Sequence, residues 1–74
     1  MNPDNLIKMA NQIGSFFETM PDREQAQSDI ASHIKRFWEP RMRRSLLQHV
    51  DQHDGADLMD IVLETLRSHR AAVL

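Results

Sequence analysis

The chain contains no cysteine, and this absence excludes several kinds of site at once. Disulfide bonds, thiolate zinc sites and iron–sulfur clusters all depend on cysteine sulfur. The absence also agrees with a reducing compartment, and we expect a cytoplasmic protein. Only two glycines are present, so the sequence has no glycine-rich loop of the kind that cradles phosphate groups.

Long apolar runs are missing as well. No apolar stretch approaches the roughly 20 residues that cross a bilayer, so no membrane helix is predicted. The first residues read MNPDNLIK and lack a basic region followed by an apolar one, so no secretory signal is expected. No segment alternates with a period of two, which argues against strands. Apolar residues instead recur at three- and four-residue intervals, which predicts one all-α domain over residues 1–74.

Caps and prolines predict where the helices begin and end. Asn2 and Asp22 are predicted N-caps, and Pro40 suits the first turn of a helix. Pro21 and Gly55 are predicted to end helices. We therefore predict a small bundle of three to four short helices, the first two forming an antiparallel hairpin. The predicted helices span approximately residues 3–20, 23–38, 40–53 and 58–71.

Two pairs of adjacent aromatic residues point to a second surface besides the core. Neighbours on a helix point about 100° apart, so the two rings of a pair rarely reach the same small core. One ring each of Phe16-Phe17 and Phe37-Trp38 should therefore face outward. For Phe16-Phe17, a core wide enough for both rings stays open as an alternative. Trp38 is expected to be partly exposed and to face a partner.

The segment of residues 34–44, which we call the junction segment, reads IKRFWEPRMRR. It places the single Trp beside a Phe at a predicted helix break, and it carries five basic side chains against one acid. Trp and Arg are enriched among the residues that dominate binding energy. We therefore predict a partner-binding surface made of Phe37, Trp38, Pro40, Arg41, Arg43 and Arg44.

The positive charge of the junction segment has three candidate partners. Residues 51–64 carry five acids and no Lys or Arg, so pairing within the chain is one. Acids on a partner protein are the second, and phosphates of a nucleic acid or a large cofactor are the third. The net charge of −2 favours a protein partner over nucleic acid. A helical regulator that binds nucleic acid, and a self-associating homo-oligomeric helical module, remain the alternatives.

Two histidines have a spacing that is found in metal sites. His49 and His53 are four residues apart on one helical face, and two such imidazoles can share a zinc ion. Val50, however, occupies the place where the zinc-peptidase motif needs Glu. Solvated histidines near a helix C-terminus explain the spacing equally well. We predict no catalytic, cofactor-binding or metal-binding residue in this chain, and no enzyme activity of its own.

Three stretches together resemble the delta subunit of NAD-dependent, molybdenum-containing formate dehydrogenases. They are LIKMANQIGSFF at residues 6–17, the break at Pro21, and DIASHIKRFWEPRMRRSLLQHV at residues 29–50. The MANQI stretch and the HI-x-x-FW-x-PRMR stretch are specific in combination, although neither is a catalytic motif. After Asp51 the likeness fades to length and helical character.

The resemblance implies a small non-catalytic accessory subunit. Such a chain would accompany a large alpha subunit that carries bis-molybdopterin guanine dinucleotide and iron–sulfur clusters, and beta and gamma subunits that handle FMN and NAD. Formate would be oxidised to carbon dioxide on those chains. The delta-like chain would support assembly, cofactor insertion or stability by docking on the large catalytic subunit. The resemblance transfers no catalytic residue and no bound cofactor to this chain.

Overall fold

The computed structural model describes residues 3–74, and these residues form five α-helices. In chain order they are α1 (Pro3–Phe17), α2 (Arg23–Phe37), α3 (Pro40–His53), α4 (Asp60–Ser68) and α5 (Arg70–Val73). No strand occurs in this part of the chain, and the predicted all-α fold is confirmed. None of these helices combines the length and apolar character that crossing a bilayer requires.

The helices begin where the sequence supplies caps and prolines. The Asp22 carboxylate accepts a hydrogen bond from the Gln25 N–H at 3.1 Å, as the predicted N-cap should. Pro40 occupies the first turn of α3, where its missing N–H leaves no helical hydrogen bond unmade. Asn2, the predicted cap of the first helix, lies outside the described residues.

The first and the fourth predicted helices are each shorter than expected by several residues. α1 ends at Phe17 and not at residue 20, because Pro21 disfavours helical geometry at Met20. The Met20 N–H closes a turn by donating to the Phe17 carbonyl at 3.1 Å. The predicted fourth helix is divided at His69. The His69 N–H still bonds to the Thr65 carbonyl at 2.8 Å, but its backbone (φ −115°, ψ 30°) leaves the helical region and separates α4 from α5.

The loop between α3 and α4 displaces the predicted start of the fourth helix. Asp54, Gly55 and Asp57 have positive φ angles of 54°, 67° and 69°, and this left-handed geometry cannot continue an α-helix. Asn11 on α1 holds the loop. Its amide donates to the Asp57 carbonyl at 2.9 Å and accepts from the Met59 N–H at 2.9 Å. α4 therefore begins two residues later than predicted.

The core is mainly aliphatic and receives side chains from every helix. Its most deeply buried members are Ala10, Ala26, Ile30, Ala31, Ile34, Leu46, Leu47, Ile61, Val62, Leu66 and Val73. α1 contacts α2, α3 and α4, and α2 also packs on α4 and α5. The contact between α1 and α2 agrees with the predicted pairing of these helices, while their antiparallel hairpin arrangement stays a prediction.

Candidate docking surface at the junction of α2 and α3

The junction segment turns sharply between two helices. α2 ends at Phe37, and Trp38 adopts an extended conformation (φ −96°, ψ 138°) while its N–H still bonds to the Ile34 carbonyl at 3.0 Å. Glu39 is also extended, and α3 starts at Pro40. Since proline fixes its own φ and restricts the residue before it, this turn is stiff.

Trp38 is buried, and the predicted partial exposure of its ring is wrong. Its side chain is 5% exposed and belongs to the core. The prediction continued the helix through residue 38, whereas the backbone leaves the helix at Trp38 and its ring packs into the protein. Trp38 therefore stabilises the junction from inside, and a partner-binding role for it stays untested.

Phe37 is the outward member of this pair, with 69% of its surface exposed. The ring centroids of Phe37 and His33 are 4.7 Å apart, and those of His33 and Phe17 are 6.3 Å apart. Phe17 in turn makes an edge-to-face contact with Phe16 at 5.0 Å. We call these four side chains the aromatic row. The predicted division of Phe16-Phe17 also holds, because Phe16 is exposed while Phe17 packs partly buried against the core.

Arg43 is used within the protein itself. Its Nη1 donates to the Lys35 carbonyl at 2.9 Å and to the Trp38 carbonyl at 3.0 Å. Carbonyls at the end of a helix have no intrahelical partner, so the guanidinium helps to close the end of α2. The Arg43 Nε is buried without a hydrogen-bond partner among residues 3–74. Arg43 thus holds the junction together, and its predicted contact with a partner protein stays untested.

The remaining predicted site residues, Pro40, Arg41 and Arg44, are exposed on α3. The Arg36 guanidinium lies 5.7 Å from the centre of the Phe37 ring, within cation–π range. Within residues 3–74, neither Arg36, Arg41 nor Arg44 forms an ion pair with a carboxylate. The structure therefore leaves these three guanidinium groups exposed without an acidic partner in the described chain.

Two of the five acids of residues 51–64 pair with arginines outside the junction segment. Asp51 forms a bidentate pair with Arg70 at 2.9 and 2.7 Å, and Glu64 pairs with Arg23. The hydrogen bonds from Arg70 are the main reason why the pKa of Asp51 is lowered from its ordinary value. Pairing between this acidic stretch and the junction segment, one of the three alternatives, does not occur within residues 3–74.

The aromatic row borders a groove that the sequence did not reveal as a site. The lining side chains are Met9, Gln12, Ile13, Phe16, Phe17, His33 and Trp38. Met9 and Ile13 were recognisable as apolar residues of the first helix, but which of them stays exposed depends on how α1 packs. The feature of the sequence that pointed toward this groove was the Phe16-Phe17 pair, which predicted one outward ring on α1.

The paired histidines on α3 form no recognisable metal centre. The His49 and His53 rings lie 5.5 Å apart, and the His49 Nε2 is 2.7 Å from the Ala56 carbonyl oxygen. Within residues 3–74 no group of three or more His, Asp or Glu side chains is arranged to hold a metal ion. The hydrogen bond to Ala56 gives His49 a structural role in the loop that follows α3.

Comparison with known protein families matches residues 5–66 to the family described as NADH-dependant formate dehydrogenase delta subunit FdsD. The match covers most of the chain, from α1 into α4, and includes the whole junction segment. No curated protein and no solved structure matches this chain.

Proposed function

We propose that this chain, which belongs to the FdsD family of NADH-dependent formate dehydrogenase delta subunits, is a non-catalytic accessory subunit that docks on the large catalytic subunit of that enzyme. Formate is oxidised on other subunits. The delta chain supports assembly of the complex, insertion of the cofactor or stability of the large subunit. The docking surface is centred on Phe37, Pro40, Arg41 and Arg44, with Trp38 and Arg43 fixing its shape from within.

A single observation carries the docking proposal. Phe37 exposes 69% of its surface at a stiff helix junction, beside arginines that no carboxylate of residues 3–74 neutralises. Aromatic residues and arginine are enriched at protein interfaces, where an apolar anchor and charge-assisted hydrogen bonds act together. An exposed ring held in a fixed position loses little conformational freedom when a partner covers it.

Among the cofactors that the resemblance implies for the complex, iron–sulfur clusters do not fit the donor groups of this chain. Iron–sulfur clusters need thiolate ligands, and the chain has no cysteine. We assign the clusters to other subunits for this reason, and bis-molybdopterin guanine dinucleotide, FMN and NAD to the alpha, beta and gamma subunits because the resemblance implies it. The contribution of this chain is a binding surface.

The test is co-purification of the large subunit with the tagged delta chain. Phe37→Ser and Arg41→Glu should each weaken capture at least about tenfold, because each removes one of the anchoring groups. Arg67→Glu is the matched control, since Arg67 is exposed on α4, away from the junction. Trp38→Ala is unsuitable as a probe, because truncating a buried aromatic ring costs about 3–5 kcal/mol of folding stability.

Two outcomes would contradict different parts of the proposal. If the wild-type chain captures no large subunit, the subunit function is wrong. If the wild type and both variants capture it equally, the chain docks through another surface. An accessory role further predicts that the large subunit made without the delta chain has less molybdenum or lower formate oxidation activity, and that the wild-type chain restores it.

The alternative functions make different predictions. A nucleic-acid regulator would bind DNA or RNA with an affinity that falls steeply as salt rises, because phosphate contacts release counterions. A self-associating module would form a defined homo-oligomer, which light scattering would detect. Gel-shift and light-scattering measurements on the purified chain therefore separate both alternatives from the subunit role.

A further inference from the structure

The groove beside the aromatic row has a volume of about 430 Å³. At its rim, Phe16 is 74% exposed and Met9 is 38% exposed, although both are large apolar side chains. No carboxylate is among the side chains that line the groove. Exposed large apolar side chains that gather around one groove are more informative about an interaction site than the same residues scattered singly over a surface.

Positive charge lies at the end of the groove formed by α2. Phe37 contacts His33 of the lining, and the Arg36 guanidinium lies over the Phe37 ring. Four exposed cations of residues 35–44 (Lys35, Arg36, Arg41 and Arg44) outnumber Glu18 and Glu39, the exposed acids nearest to the lining residues in the sequence. Charge complementarity therefore favours an occupant that carries acidic side chains beside its apolar ones.

A second copy of the chain fits this surface less well. A two-fold dimer places the same patch on both sides of the interface, so the interface would contain the exposed cations of both copies and an excess of positive charge. An added β-strand also fits poorly, because residues 3–74 offer no sheet edge to extend. A common mode for an apolar groove between helices is a helix that lays its apolar face into it.

We propose that the groove receives an acidic amphipathic helix of the large subunit. Its apolar side chains, spaced three and four residues apart, contact Met9, Phe16 and Phe37, while its carboxylates meet Arg36 and Arg41. This inference rests on the proposed function, which supplies the identity of the partner. It adds the chemistry of the partner segment and extends the docking surface from the junction to α1.

The first experiment measures the Kd of the purified delta chain for the purified large subunit. Phe16→Ser should weaken binding at least about 30-fold, which corresponds to about 2 kcal/mol at 1.4 kcal/mol per tenfold change. Arg36→Glu should weaken it at least about tenfold and reduce its dependence on salt. The controls are Ala56→Ser, which also alters an exposed apolar side chain outside the groove, and Arg67→Glu. Circular dichroism should show that all four variants keep the wild-type fold.

The outcomes distinguish this inference from the proposed function. If the wild type does not bind the large subunit, both fail. If Phe37→Ser weakens binding but Phe16→Ser and Arg36→Glu do not, docking at the junction stands and the groove is not its continuation. Equal losses for the groove variants and their controls would also overturn the groove proposal, because the effect would not be specific to this surface.

Photo-crosslinking identifies the occupant directly. With p-benzoylphenylalanine at position 16, the expected crosslink joins the delta chain to a helical segment of the large subunit that is rich in Asp and Glu. A crosslink to a second delta chain, to a basic segment or to an extended segment would overturn the proposal. The same photoreactive residue at position 52, an exposed position near the C-terminal end of α3 and outside the groove, serves as the control and should not crosslink to that helix.

Discussion

Gly14 on α1 packs closely against Val62 on α4. A Cβ atom added at this position would be 2.5 Å from the Val62 Cγ2. Val62 is completely buried, and its β-branched side chain has one strongly preferred rotamer in a helix. The neighbouring side chain therefore has little freedom to move aside, and the absence of a side chain at Gly14 sets the distance between the two helices.

Replacing Gly14 by alanine should destabilise the protein by about 1–2 kcal/mol, as overpacking of 1–3 kcal/mol outweighs a helix-propensity gain of up to about 1 kcal/mol. Urea unfolding measures this difference. The cost should be much smaller in a Val62→Ala background, because the added methyl group then enters space that Val62 has vacated. A Gly14→Ala variant that is more stable than the wild type would show that the helices are not limited by this contact.

The positions of Phe37 and Trp38 show what a side-chain pattern can and cannot predict. The sequence predicted that one ring of the pair faces outward, because adjacent helical residues diverge. It placed the Trp38 ring outward, although the spacing of Ala31, Ile34 and Trp38 is as regular as that of Ile30, Ile34 and Phe37. Which of the two rings is buried depends on the backbone, which leaves the helix at Trp38, two residues before Pro40.

At the scale of the helices, the starts were predictable and the long-range loop was not. Pro40 and the Asp22 carboxylate act on their immediate neighbours, so the starts of α2 and α3 can be recognised from a few adjacent residues. The start of α4 depends instead on Asn11, which is 46 residues away from Asp57 in the sequence. The MANQI stretch is thus explained in part by a structural contact that no local pattern indicates.

Removing the Asn11 side chain should release the loop between α3 and α4. Asn11→Ala leaves the Met59 N–H and the Asp57 carbonyl without their partner, at a cost of about 1–3 kcal/mol in the free energy of unfolding. Hydrogen exchange should be faster at the Met59 amide than in the wild type. Gln12→Ala, at the next position of α1, is the control and should change neither quantity. Unchanged Met59 protection in Asn11→Ala would mean that other contacts hold the loop.

At the scale of the whole molecule, charges from distant parts of the chain are paired selectively. The described ion pairs are Arg23–Glu64, which joins α2 to α4, and Asp51–Arg70, which joins α3 to α5. A contact of 2.9 Å between the His69 Nε2 and the Glu24 carboxylate also joins the end of α4 to α2. The sequence predicted the two blocks of opposite charge but not their partners, because net charge gives a sum and not a geometry. The fold uses Arg23 and Arg70 for internal pairing and leaves Arg36, Arg41 and Arg44 of the junction segment exposed, which is the arrangement that the docking proposal needs.

The Asp51–Arg70 pair should make stability depend on pH in acid. The pKa of Asp51 is lower in the folded protein than in the unfolded chain, where a value of about 3.9 is expected. The pair therefore stabilises the fold above that pH, and its contribution is lost as the pH falls through the folded pKa. Asp51→Asn should lower the melting temperature at pH 7. The effect should be modest because the pair is exposed, and the difference from wild type should vanish in strong acid.

Glu18→Gln is the control, since Glu18 forms no ion pair within residues 3–74. The melting-temperature difference between wild type and Asp51→Asn should not stay constant from pH 7 to about pH 2, which is well below the unfolded pKa. A constant difference would show that the pair does not act through this ionisation.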